Sequence, residues 1–326
     1  MKKPNRKKKK KNRLIVILGP TAVGKTALSI ALARKLGTEI ISGDSMLVYK
    51  GFDIGSAKPD MEERQGVPHH LIDIREPCEN YAVTDFVAEA GKCIGILNSQ
   101  GKVPILAGGT GLYVKALLEG YQFNETEEHV AYRSYLEELG RSMGKEYVHG
   151  LLSEADPAAA QRLHPNDFRR VVRALEVSHF GGEQISQEKQ AGAGTLTREC
   201  LCYDALVIGL ERDRQELYER INRRVTLMFE SGLEDEVKGL LSGGLHRGTQ
   251  AMKGIGYKET AAYLCGEMSR EEAVELIQKS TRHFAKRQLT WYRKMPYIEW
   301  IKADQPLEDL LADCIKLMNK TWEASR

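Results

Sequence analysis

The sequence predicts an α/β fold, a parallel sheet wrapped by helices with a mostly helical segment inserted into it. Three observations carry this. Short aliphatic runs end abruptly in glycine-bearing loops at LIVIL (14–18), EIIS (39–42) and VPILA (103–107). The stretches between them have helical spacing. From 124 to 200 the strand signal gives way to charged sequence rich in helix formers.

Each element has its own reason. Residues 1–13, MKKPNRKKKKKNR, hold nine Lys/Arg and no acid, and read as a solvated, disordered tail. Removing those nine charges from the formal +3 leaves −6 for the remainder, so a nucleic-acid site in the folded part must be a local patch. The tail itself would add only non-specific attraction to nucleic acid. Leu14–Leu18 reads as a strand buried on both faces. TALSIALARKL (26–36) follows as a helix. Glu39–Ser42 is a second strand ending in GDS, and TDFVAEAGKCIGILNSQG (84–101) is an amphipathic helix stopped by glycine. Val103–Ala107 is a third strand, ending in GGTG. Strand–helix–strand at this spacing implies a doubly wound sheet with its sites at the strands' carboxyl ends, where all three polar loops fall. The expected organisation is a first core part over 14–123, a helical insertion over 124–200 and a second core part over 201–300. In that second part ALVIGL (205–210) is a returning strand and long helices run through Lys294. A closing amphipathic helix and tail occupy 301–326.

Composition removes several classes. With 326 residues, 42% apolar and 29% charged, the chain is an ordinary globular one. No apolar run approaches the roughly 20 residues that span a bilayer. Leu14–Leu18 is too short for a signal-peptide core, so a cytoplasmic protein without a membrane partner is expected. The six cysteines, at 78, 93, 200, 202, 265 and 314, form no C-x-x-C pair, which argues for reduced thiols rather than zinc. His69 and His70 are adjacent and point apart, so they read as structural.

The chemistry begins at GPTAVGKT. Gly19, Pro20, Thr21, Ala22, Val23, Gly24, Lys25 and Thr26 match G-x-x-x-x-G-K-[ST] between a predicted strand and a predicted helix. The core is therefore P-loop NTPase-like. Loop amides and the helix start favour phosphate, Lys25 adds a point charge, and the Thr26 hydroxyl can ligate Mg²⁺. A nucleotide hydrolase usually carries an Asp at the end of another strand. Here the strand into GGTG ends without an acid, and Asp44 closes the neighbouring one. Asp44 reads as a base for an incoming nucleophile, or else as a helix cap or outer-shell metal group. By themselves these features also fit a small-molecule P-loop kinase, or an RNA-binding protein that uses nucleotide as a switch.

GPTAVGKT, GDSMLVYKGFDIGSAKP, PHHLID, ILAGGTGLY and KRQLTWYRK run in this order from about Leu14 to Trp300. Together they resemble the bacterial tRNA dimethylallyltransferase (tRNA isopentenyltransferase) family. The resemblance implies transfer of the dimethylallyl group from dimethylallyl diphosphate to N6 of adenosine 37, in the tRNA anticodon stem-loop. The opening loop would then hold a diphosphate that departs whole, with Mg²⁺ at Thr26. Thr21 and Arg224 match further diphosphate contacts, Asp44 matches the base and Thr110 a group that positions the adenine. The GDSML loop (Asp44, Ser45, Met46, Leu47) and KGIGYKE (Lys253, Gly254, Gly256, Tyr257, Lys258) match tRNA-contacting segments. Leu47 departs from the family's usual glutamine and removes a side-chain hydrogen-bonding group from the loop. The zinc-finger extension of the eukaryotic relatives is not expected, in keeping with the cysteine spacing.

Two basic helical segments could hold tRNA phosphates. In TRHFAKRQLTWYRK, Arg282, Lys286 and Arg293 fall within about 40° of one another on a helix. Arg287 and Lys294 lie beside Phe284 and Trp291, with Gln288 counted in the same RNA-facing segment. In NDFRRVVRALEV, Asp167, Phe168, Arg169, Arg170 and Arg173 form the second group. Either stripe also reads as a solvated face over a core-facing one. A monomer is expected.

Overall fold

The computed structural model describes residues 11–121, 129–180 and 196–323; the tail over 1–10 lies outside them. The chain divides into two compact units, one of 1–120 with 195–326 and one of 121–194.

The elements run in chain order through both units. First come β1 (Arg13–Leu18), α1 (Lys25–Leu36), β2 (Ile40–Ser42), β3 (His69–His70), α2 (Val83–Ser99), β4 (Ile105–Gly108) and α3 (Gly111–Glu119). The second unit holds α4 (Val130–Ser142), α5 (Lys145–Ala155), α6 (Pro157–Arg162) and α7 (Phe168–Phe180). The chain then returns through β5 (Asp204–Glu211), α8 (Arg214–Glu230), α9 (Leu233–Ser242) and α10 (Tyr257–Leu264). It closes with α11 (Arg270–Tyr292), β6 (Ile298–Lys302) and α12 (Leu307–Glu323).

The six strands form one sheet in the order β3-β2-β4-β1-β5-β6, and every pairing is parallel. β1 shows why its run is unbroken aliphatic. Leu14, Val16 and Leu18 pack with Phe86, Ile94 and Val114 on one face, while Ile15 and Ile17 pack with Leu28, Leu32 and Ile221 on the other. Period-2 alternation thus buries both sides of the strand, each Leu or Ile contributing about 1.5–3 kcal/mol. Two strands were not expected from sequence, the edge strands β3 and β6. β3 is the histidine pair itself, whose rings are held by the Val67 carbonyl and by Glu39 at 2.8 and 2.7 Å. β6 buries only Ile298 and Ile301, three apart, so it lacks the period-2 pattern that would mark a strand in the sequence.

The 121–194 unit packs around Leu136, Val148, Leu152, Val171 and Leu175. Its polar centre is Glu176, 0% exposed. That carboxylate accepts from Arg133 Nε and Nη2 at 2.9 and 2.8 Å, from the His129 amide at 2.9 Å, and from Arg173. Among the described residues no helix is long and apolar enough to cross a membrane, and the cysteines are free.

Candidate active site

Three loops leave the carboxyl ends of β1, β4 and β2 side by side, because those strands are neighbours in the sheet. The first turns into α1 at Gly24, whose φ of +113° is left-handed. No side chain caps that helix start. The amides of its first turn therefore have no intrahelical acceptor and carry the positive end of the helix dipole. Ala22 in the same loop is also left-handed, at φ +64°, a strain of about 1–2 kcal/mol for a residue with a Cβ. Lys25 folds over the loop and donates to the Gly19 and Pro20 carbonyls, both at 2.9 Å. Arg220 donates to the Ala22 carbonyl at 2.9 Å.

The second loop carries Asp44. Its Oδ1 accepts from the Met46 amide at 2.8 Å, closing a turn on its own backbone. Oδ2 has no hydrogen-bond partner among the described residues. Asp44 starts no helix, so it is not a cap. The third loop places Thr110 beside the second. The Thr110 amide donates to the Gly43 carbonyl at 3.2 Å, and its Oγ1 accepts from the Ser45 amide at 3.1 Å. Gly111 opens α3 in a space where a Cβ would meet the Trp291 indole, so only glycine lets the two segments approach.

A cavity of about 500 Å³ lies among these loops. Thr21, Lys25, Asp44, Thr110 and Arg224 supply its polar lining, and Met46, Ile255, Met228 and Phe284 its apolar lining. Arg224 Nη1 donates to Thr21 Oγ1 at 3.4 Å. Two of the cavity's lining cations are desolvated. Desolvation lowers the Lys25 pKa to about 8; the Asp44 charge works against this and the Arg224 charge adds to it. Desolvation likewise lowers Arg224, against the opposing charges of Asp44 and Glu63. A second cavity of about 1010 Å³ lies on the outer side of the phosphate loop, lined by Arg34, Arg220, Arg223 and Leu311. It is larger, yet it contains neither Asp44 nor Thr110, so size does not locate the chemistry.

Of the residues expected to contact RNA, Lys253, Lys258 and Arg287 are exposed and line the smaller cavity. So do Ser45, Met46 and Leu47, all part-buried. Lys286, Arg293, Asp167, Arg169 and Arg170 are exposed, whereas Arg282 is held by Asn222 Oδ1 at 2.5 Å. Four expectations need correction. Tyr257 is 0% exposed, packed on Phe52 at 4.4 Å between ring centroids, and its hydroxyl donates to Glu236, so it cannot stack on a base. Gln288 is buried and bonded between two loops. Phe168 fills the 121–194 core against Gly140. Arg173 is committed to Glu176. Trp291 is part-buried against α3, and Val23 is 0% exposed, so Val23 offers the loop only its backbone.

The sequence reading missed Glu236 altogether. Its carboxylate accepts from the amides of Asp53, Ile54 and Gly55 at 3.1, 2.7 and 3.2 Å and so holds the segment whose Ser56 carbonyl receives Arg224 Nη2 at 3.5 Å.

Comparison with known proteins identifies the family. The family model "IPP transferase" matches residues 47–295, and "Isopentenyl transferase" matches 12–80. The tRNA dimethylallyltransferase of Carboxydothermus hydrogenoformans is 49% identical, covering 89% of this chain and 92% of its own. That of Geobacillus thermodenitrificans is 47% identical, with 90% and 91% covered. Among solved structures, the tRNA isopentenylpyrophosphate transferase of Bacillus halodurans superposes with a TM-score of 0.72 at 41% identity, covering 96% and 98%. A eukaryotic dimethylallyltransferase acting on tRNA does so with a TM-score of 0.75 at 31% identity, covering 90% of this chain and 74% of its own. With the phosphate loop, Asp44 and Thr110 around one cavity and relatives of this closeness over nearly its whole length, the chain belongs to the IPP transferase family, that of the tRNA dimethylallyltransferases.

Proposed function

We propose that this chain transfers the dimethylallyl group of dimethylallyl diphosphate to N6 of adenosine 37 in a tRNA anticodon stem-loop and releases diphosphate. The observation that carries the assignment of roles is the pair of desolvated cations, Lys25 and Arg224, in one cavity with a single carboxylate, Asp44. A diphosphate would restore the charge balance that burial has disturbed.

As the allylic C–O bond breaks, its electron pair goes to the diphosphate oxygen. The free amides at the start of α1, together with Lys25 and Arg224, are the groups positioned to meet that growing charge, each such donor being worth roughly 3 kcal/mol. The N6 lone pair forms the new C–N bond, and the N6 proton passes to Asp44, whose Oδ2 has no partner among the described residues. Thr21 braces Arg224, and Thr110 holds the Ser45 amide and with it the base loop. The protein ligands fit Mg²⁺. Among the described residues there is no cluster of three metal-ligating side chains, while the Thr26 hydroxyl is exposed at the helix start. One hydroxyl, with diphosphate oxygens and water completing the shell, is what a hard cation that dehydrates reluctantly accepts. When bound, Mg²⁺ would neutralise leaving-group charge.

Leu47 offers the acceptor base an apolar contact in place of a polar one. Lys253, Lys258 and Arg287 are the groups we assign to tRNA phosphates around the cavity. A monomer working in the cytoplasm belongs to the same proposal.

Purified protein with dimethylallyl diphosphate, Mg²⁺ and unmodified tRNA should yield N6-dimethylallyladenosine and diphosphate in equal amounts. If nucleoside analysis finds no alkylated adenosine, and ATP is instead converted to ADP with a phosphorylated product, the kinase reading replaces this one.

A further inference from the structure

Gln288 bridges the two loops that the reaction must hold at a fixed separation. Its Oε1 accepts from the Thr21 amide at 2.9 Å, in the phosphate loop. Its Nε2 donates to the Gly109 carbonyl at 2.8 Å, in the loop that carries Thr110. The side chain is buried, and its two ends cannot be exchanged, since a backbone amide only donates and a carbonyl only accepts. Tyr292, one turn along α11, donates its hydroxyl to the same Gly109 carbonyl at 2.7 Å, so both lone pairs of that oxygen are used and the peptide is oriented from two sides. The contact is also tight, because a Cβ on Gly109 would come within 2.6 Å of Gln288 Nε2 and 3.6 Å of Asp44 Oδ2. From Gly109 the chain continues to Thr110, which holds the Ser45 amide beside Asp44.

Building on the proposed reaction, we infer that Gln288 is a positioning residue that sets the distance between the diphosphate site and the base loop through its single amide. It lines the cavity, but both ends of its amide are taken by the two loops, so it acts through them. Its role is to keep the leaving group, on the Thr21 side, in line with the acceptor amine, on the Asp44 side. A displacement of about 1 Å in such an alignment costs about 100-fold in rate.

Two variants test this, with kcat, KM and direct binding of pyrophosphate and tRNA measured for each. Q288M conserves volume and removes both hydrogen bonds. It should lower kcat about 100-fold while the two binding constants stay within about threefold. Q288E keeps the arm to Thr21 and regains the other only when protonated, because a neutral carboxyl can donate to the Gly109 carbonyl and a carboxylate cannot. Asp44 and the Tyr292 hydroxyl face this position, and Lys25 and Arg224 line the same cavity. The kcat of Q288E, taken as a ratio to the parent at each pH, should therefore rise about tenfold as pH is lowered to protonate the carboxyl, and the Q288M ratio should stay flat. A parental kcat in Q288M, a loss confined to tRNA affinity, or a flat ratio in Q288E overturns the inference. The reading of Q288E is internal to one variant, so it stands even if Q288M folds poorly. Failure of the underlying reaction would show separately, as a parent protein that makes no alkylated adenosine.

Discussion

In the 121–194 unit Glu176 is wholly buried, and burial alone would raise its pKa. Arg133, Arg173 and the His129 amide together reverse this and hold it below the ordinary carboxylate value. In the sheet unit Lys25 and Arg224 are also desolvated, but there the opposing charge falls short and both are pulled down. The first arrangement is a staple, whose charge is fully compensated by protein groups. In the second, desolvation outweighs the opposing charges, as the proposed diphosphate site requires. Burial of charge is common to both, so burial by itself does not identify a site. The sign of the residual imbalance does.

The comparison can be broken most severely at Asp44. Asp44→Asn should lower single-turnover alkylation by about 10²–10⁴-fold with tRNA affinity little changed, since it removes the base and keeps the shape. Turnover near the parent level would remove Asp44 from the chemistry. Lys25→Ala should come next, lowering kcat by about 10²–10³-fold and weakening pyrophosphate binding, measured by calorimetry. The same group gives a pH dependence. Lys25 is fully charged only well below about pH 8 and loses its charge as pH rises through that value, so pyrophosphate affinity should decline across it. An affinity that is flat to pH 10 would mean that Lys25 does not face the anion.

The staple is tested by Glu176→Gln, which leaves two arginines opposite a neutral amide. Both arginines are partly exposed, so we expect a loss of about 1–3 kcal/mol rather than the larger cost of a dry ion pair. Because the folded pKa of Glu176 is lowered, its stabilisation is present above the ordinary carboxylate value and is lost as pH falls through the folded one. The stability of the variant to denaturant should therefore decline less than the parent's at acid pH, the rest of the decline coming from other lowered carboxyls such as Glu39 and Asp213, while pyrophosphate binding is retained. A variant as stable as the parent would make the cluster decorative. The smallest effect is expected at Arg287→Ala, which should weaken tRNA binding a few-fold and reduce the salt slope by about one. An unchanged slope would return the exposed side of α11 to a solvated face.

The elements legible in the sequence are those built from local signals. β1, α1 and the loop between them follow from an aliphatic run, two glycines and a helical spacing, and Asp44 stood out as the acid closing a strand. Gln288 and Tyr257 were misread because a polar or aromatic residue in a basic, glycine-bearing segment looks like an RNA contact. A signal was present. Ile277, Ala285, Gln288 and Tyr292 recur at helical spacing and are the buried side of α11, which a strict accounting of the apolar stripe would have placed inward. Glu236 offered no such signal, since LEDEVKG reads as a solvated helix face until the chain brings residues 53–55 to it.

By itself, then, the sequence determined the phosphate loop, the strands and helices next to it, and the family to which they belong, because each is written in local runs, turns and motifs that can be read in chain order. Only the tertiary structure decided which polar groups are partnered. Whether Gln288 meets RNA or meets Thr21 and Gly109 depends on residues 267 and 179 positions away. Helical spacing can place Gln288 inward, but it carries no information about which distant backbone groups the side chain meets there.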